Sequence, residues 1–75
     1  MPTTKMEIKS ILAGNIKKYR TKLKMTQEQV AEKAGITVKY WQRLEMRSQV
    51  DLPSLPALYV VAKTLKTTPS KLLES

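Results

Sequence analysis

Between Thr26 and Thr37 the chain reads TQEQVAEKAGIT, and this stretch constrains the fold more than any other. Thr26 is a strong N-cap, and Gln29 three positions later completes a capping box. Val30, Ala31 and Ala34 then share one apolar face. Gly35 supplies the left-handed residue that ends a helix at low cost. Thr37 is already the N-cap of the next helix, so only Gly35, Ile36 and Thr37 separate the two. In that second helix Trp41 and Leu44 form the buried pair, flanked by Tyr40. Val38, Lys39, Gln42, Arg43 and Met46 are left on a polar and basic outer face. Two short helices joined by so few residues, with a glycine at the corner, make a helix-turn-helix from Gln27 to about Met46.

The rest of the chain also reads as helix, and no alternating strand pattern of useful length occurs. A first helix is predicted over about residues 8–24. Leu12, Ile16, Tyr19 and Leu23 recur on one face, with Lys17, Lys18, Lys22 and Lys24 largely on the other. Gly14 weakens that helix by about 1 kcal/mol relative to Ala, which marks a close helix contact there. Residues 1–7 read as a flexible basic arm and residues 8–75 as one domain. Residues 47–53 form a loop closed by Pro53. Ser54 caps a fourth helix with Pro56 in its first turn and an apolar stripe of Leu55, Leu58, Val61, Ala62 and Leu65. Thr68 and Pro69 open a short fifth helix carrying Leu72 and Leu73. The expected fold class is therefore all-α, a compact five-helix domain with helix-turn-helix at helices 2 and 3.

A chain of 75 residues buries only a thin core, so dimerisation is a natural supplement to its stability. With neither Cys nor His, it lacks disulfides, the usual zinc ligands and His-based acid–base catalysis. Six carboxylates scattered among lysines and two separate glycines build neither a catalytic constellation nor a phosphate-cradling loop. No enzymatic activity, metal or cofactor is expected. No apolar run approaches the roughly 18–20 residues needed to cross a bilayer. Met1–Ser10 has no apolar stretch of the secretory kind. A soluble, cytoplasmic protein is the expectation. The net charge is +8, and residues 1–24 alone hold seven basic residues against Glu7. Such an excess suggests a polyanionic partner, nucleic acid first and an anionic membrane surface second.

The stretch from Thr26 to Thr37 resembles the phage repressor and Cro-like helix-turn-helix proteins, the Xre family. Its pattern T-Q-E-x-[LV]-A-x-x-x-G-[IV]-[ST] is met in full, and Leu44–Glu45 supplies the usual end of the recognition helix. Ile16, Arg20 and Leu23 match the family's first helix. Pro53–Ser54–Leu55, Leu58, Val61–Ala62 and Leu65 match its fourth. Two departures stand out: Glu45–Met46–Arg47 replaces the frequent E-x-G, and the loop to Pro53 is about two residues longer than the commonest form. Thr67 also stands where an apolar residue is commoner.

The resemblance implies DNA binding. Gln27, at the start of helix 2, would touch a phosphate. Val38, Lys39, Gln42 and Arg43 would face base edges in the major groove, Arg43 or Lys39 reading guanine, Gln42 adenine and Val38 a thymine methyl. Thr37, Tyr40 and Arg47 would contact phosphates, with Ser48 and Gln49 as further candidates. Arg20 and Glu45 resemble an ion pair tying helix 1 to the end of the recognition helix, a structural role. Lys17, Lys18, Lys22 and Lys24 suit long-range steering better than direct contact.

Three functions compete on this reading. The first is a small transcriptional regulator, repressor or controller, binding double-stranded DNA as a homodimer. Leu72, Leu73 and the adjoining part of helix 4 would form the dimer surface, although the same leucines would equally cap the core of a monomer. The second is an antitoxin-like or other protein-interaction module on the same fold. The third, a peripheral membrane binder using the basic helix 1, is weak because the opposite face of that helix is needed for the core.

Overall fold

A computed structural model describes residues 4–49 and 51–75 of the chain. Its five helices, α1 (Lys5–Lys22), α2 (Gln27–Ala34), α3 (Val38–Leu44), α4 (Leu55–Thr64) and α5 (Pro69–Leu72), are each opened by a hydroxyl. The side chains of Thr4, Thr26, Thr37, Ser54 and Thr68 accept from the backbone N–H three residues on, at 3.1–3.3 Å. Each so satisfies one of the donors that a helix start leaves free, worth about 1 kcal/mol. At Thr26 the capping box is closed in both directions, because Gln29 Oε1 accepts from Thr26 N at 2.9 Å.

Thr4 moves the start of α1 ahead of the expected one. Lys5, Met6 and Glu7 form its first turn. The expected arm over residues 1–7 is therefore helical in its last part, and residues 1–3 lie outside the described residues. The sequence pattern misses this start because the apolar periodicity begins only at Ile8, whereas the cap lies four residues upstream.

Three helices end in the same way. After α1, α2 and α4 the chain passes through a left-handed residue: Lys24 (φ 58°), Gly35 (φ 74°) and Lys66 (φ 58°). The next N–H folds back onto the helix, from Met25 to Arg20 O, Ile36 to Ala31 O and Thr67 to Ala62 O, at 2.9–3.3 Å. This is the Schellman arrangement. α3 ends differently. Its cap Glu45 stays right-handed at φ −89°, and the chain leaves through turns in which Met46 N–H donates to Arg43 O and Gln49 N–H to Met46 O.

The core gathers around Trp41, which is fully buried among Leu12, Ile16, Val30, Ala31, Leu44, Leu58, Val61, Ala62, Leu65 and Leu72. Tyr19, Leu23, Ile36, Val38 and Tyr40 pack against its edge. The α4 stripe holds from Leu58 onward, but Leu55 is 81% exposed. It occupies the first turn, ahead of the stretch that reaches the core. Leu72 corrects the expected dimer surface. It is fully buried in the monomer, and Asn15 Nδ2 fastens α5 to α1 by donating to Leu72 O and Glu74 O, both at 2.8 Å. Leu73 remains exposed. The Thr67 hydroxyl is buried without a hydrogen-bond partner, an unfavourable placement where an apolar side chain would cost less.

Candidate nucleic-acid interface

The geometry of α3 follows from which of its residues are sunk. Trp41 and Leu44 point into the core, and their spacing turns Lys39, Gln42 and Arg43 outward, where all three are exposed. Val38 and Tyr40 are half-buried against the core edge. Thr37 is exposed but spends its hydroxyl on the Tyr40 N–H as the helix cap. Of the expected reading face, three positions stand clear of the protein, and Val38 presents only part of its side chain.

Glu45, directly after α3, is the hub that fixes the helix. Its Oε2 accepts from Arg20 Nε at 2.6 Å and from Trp41 Nε1 at 2.6 Å. Its Oε1 accepts from Arg20 Nη2 and from Gln27 Nε2, both at 3.1 Å. Arg20 Nη1 donates to Met25 O at 2.8 Å, so one guanidinium ties the end of α1, the start of α2 and the end of α3. Side-chain exposure in this pair is 12% and 5%. Burial pushes the Glu45 carboxyl up, but hydrogen bonds from Arg20, Trp41 and Gln27 and the Arg20 charge outweigh it. They hold the group below the usual carboxylate range. Gln27, expected at a phosphate, thus has its side-chain amide nitrogen engaged with Glu45.

A buried lysine holds the other side of the same helix end. Lys9 is fully buried, and its Nζ donates to Arg43 O, Met46 O and Gln49 O at 2.8–2.9 Å. An ammonium has three donors, and each finds a carbonyl. Its positive charge also suits the negative end of a helix. Burial lowers the Lys9 pKa, the Asp51 charge raises it and the Arg43 charge lowers it further. Counted in the sequence with the basic surface, Lys9 is an internal brace. Its position carried one signal: it lies three residues before Leu12 and seven before Ile16, on the apolar face of α1.

Two arginines flank this brace. Arg43 Nη2 donates to Asp51 Oδ2 at 2.7 Å, an exposed ion pair with no signal in the sequence pattern. Arg47 lies back across α1, where its Nη1 donates to Ser10 Oγ at 3.1 Å. A Cβ at Gly14 would come within 2.5 Å of Arg47 Nη2, so the close approach at Gly14 is that of a loop guanidinium and not of the helix expected there. Arg47 and Ser48 face Lys17 and Lys18 across an open groove of about 670 Å³. Lys22 and Lys24 are exposed at the end of α1. Positive charge therefore borders the α3 end from two elements.

A short helix carried on a tight corner, with an outward polar and basic face and its inner face locked into a core, defines a helix-turn-helix DNA-binding domain. The helix-turn-helix family HTH_3 matches residues 16–72, and the chain belongs to it, as an Xre/Cro-type transcriptional regulator. It is a DNA-binding regulator. The control protein C.SmaI of Serratia marcescens is 38% identical over 68 residues, spanning 91% of this chain and 79% of that protein. Two solved structures share the fold at 20% identity. A hypothetical transcription factor, NHTF, from Neisseria superposes with a TM-score of 0.83 over 99% of this chain and 83% of its own. An HTH_3 family transcriptional regulator from Vibrio cholerae gives 0.81 over 92% of this chain but only 38% of its own.

Proposed function

We propose that this regulator reads a specific duplex site as a homodimer, with α3 in the major groove and Lys39, Gln42 and Arg43 at base edges. The observation that supports this most is the split of α3 into a sunk face, Trp41 and Leu44, and a free polar one. Lys39 and Arg43 suit guanine O6 and N7, and Gln42 suits adenine. Thr37, Tyr40, Arg47 and the start of α2 at Gln27 lie around this face as backbone contacts. Val38 contributes a methyl contact at most. Two copies would present their reading helices about 34–36 Å apart, to a pseudo-palindromic site.

The dimer surface is better placed on α4 than on α5. Leu55 and Tyr59 stand one helical turn apart and are 81% and 61% exposed, with Val60 and Leu73 also exposed. A second copy covering them would supplement a thin core. Among the described residues no helix is long and apolar enough to cross a membrane, and the cytoplasm, beside the DNA, is the proposed place of work. A role like that of the control protein it resembles is the functional parallel proposed here.

The test is a salt series of binding to a duplex enriched from a randomised pool by the wild type, and to an unrelated duplex. Affinity should fall steeply with salt, and the enriched site should win by roughly 10³ or more. Substituting Lys39 and Arg43 together should abolish most of that preference. Full preference in the double variant would show that another face reads the site. Sedimentation of Tyr59→Asp should show a monomer if α4 holds the dimer.

A further inference from the structure

The Arg43–Asp51 pair is about half exposed on both sides, 50% and 48%, and so contributes little to stability. What distinguishes it is how Arg43 is mounted. Lys9 grips the carbonyls of Arg43, Met46 and Gln49, which pins the base of Arg43 and the loop as far as Gln49. Asp51 Oδ2 accepts from Arg43 Nη2 at 2.7 Å, which sets the carboxylate beside the exposed face of α3.

We propose that Asp51 is a specificity-determining residue that acts by positioning Arg43. The inference rests on the reading of α3 as the DNA-contacting helix. A guanidinium offers five donors in a rigid plane, and one bond to Asp51 leaves enough for a paired contact to a base edge. Held by a carboxylate, Arg43 loses part of its freedom before DNA arrives. Should it swing to a phosphate instead, the pair breaks and Asp51 is left facing an anionic backbone. The carboxylate therefore disfavours the unselective contact more than the selective one. Asp51 lowers attraction to unselected DNA and so raises discrimination.

The experiment compares wild type, Asp51→Asn, Arg43→Ala and the double variant. Each is measured at one salt concentration on the duplex enriched by the wild type and on an unrelated duplex. Asp51→Asn should bind unrelated DNA several-fold tighter and the enriched site no tighter, lowering the ratio about tenfold, within the range one paired base contact discriminates. In the Arg43→Ala background the same change should leave the ratio unmoved. If both affinities rise together and the ratio survives, Asp51 acts as general repulsion and the proposal falls. An equal loss of ratio in both backgrounds removes Arg43 from the route and overturns it as well. A wild type that enriches no duplex fails at the earlier step, the reading role of α3, and takes the Asp51 role with it.

Discussion

The ends of α2 and α3 solve the same problem by opposite means. Each helix leaves carbonyls without partners at its C-terminus. α2 closes within its own chain: Gly35 turns left-handed, and the N–H groups of Gly35 and Ile36 return to Glu32 O and Ala31 O. α3 closes with help from far away. Lys9 reaches across from α1 to three carbonyls, and Arg20 from the same helix anchors Glu45. The self-contained end sets the sharp corner of the motif. The braced end lets a longer loop leave the reading helix without a glycine, and it makes α1 the support of that helix. The first device is a matter of backbone dihedrals, the second of buried charge.

The largest effect is expected at the braced end. Arg20→Ala leaves Glu45 nearly buried without its cation and should cost about 3 kcal/mol in a urea titration. Site preference at a temperature where the variant is folded should survive. An unchanged thermal melt would take Arg20 out of the brace. Lys9→Met removes one donor from each of three carbonyls, of which Arg43 O and Met46 O keep a backbone N–H. It should cost about 2 kcal/mol, moderated by solvent reaching the loop and by relief of the burial of the charge. A loss below about 0.5 kcal/mol would mean the loop closes itself, and the contrast between the two ends would disappear.

Acid probes the same end. The native Glu45 carboxyl lies below its ordinary value of 4.5. Its contribution is therefore complete above the unfolded pKa and is lost as pH falls through the lowered native one. Glu45→Gln should be less stable than wild type at neutral pH, with the gap narrowing below about pH 4.5. At the self-contained end, Gly35→Ala should cost only about 1 kcal/mol, the penalty of a left-handed alanine. Smallest of all, Lys66→Gly should gain about 0.5 kcal/mol, since a glycine relieves the same conformation but loosens the unfolded chain.

These two ends also mark what can be read from the chain. The cap at Thr26, the turn at Gly35 and the cap at Thr37 depend on residues at most five apart, so their chemistry is written locally. Arg20–Glu45 spans 25 positions and was reachable only through the family pattern. Lys9 bridges 34, 37 and 40 positions to backbone carbonyls, which have no identity in a sequence. Charge counting gathered it with the other basic residues of positions 1–24. The fate of the leucines is of the same kind. Leu55 and Leu72 have equal hydropathy, yet one is exposed and the other buried, because the packing of α5 on α1 decides it. Gln27 was found as the start of α2, but its bond to Glu45 depends on where α3 ends.

Gly35 carries a further consequence. Nothing lies within 4 Å of where its side chain would begin, and its φ is +74°. An L-side chain would therefore have room there and would meet only the strain of a left-handed backbone. D-alanine is at ease at that angle, so a chain made by chemical synthesis with D-alanine at this corner should fold as the natural one does. By stiffening the unfolded chain it should melt higher, by about 0.4–1 kcal/mol of added stability. The corner of the motif is thus a place where mirror-image chemistry can strengthen the protein through the backbone alone.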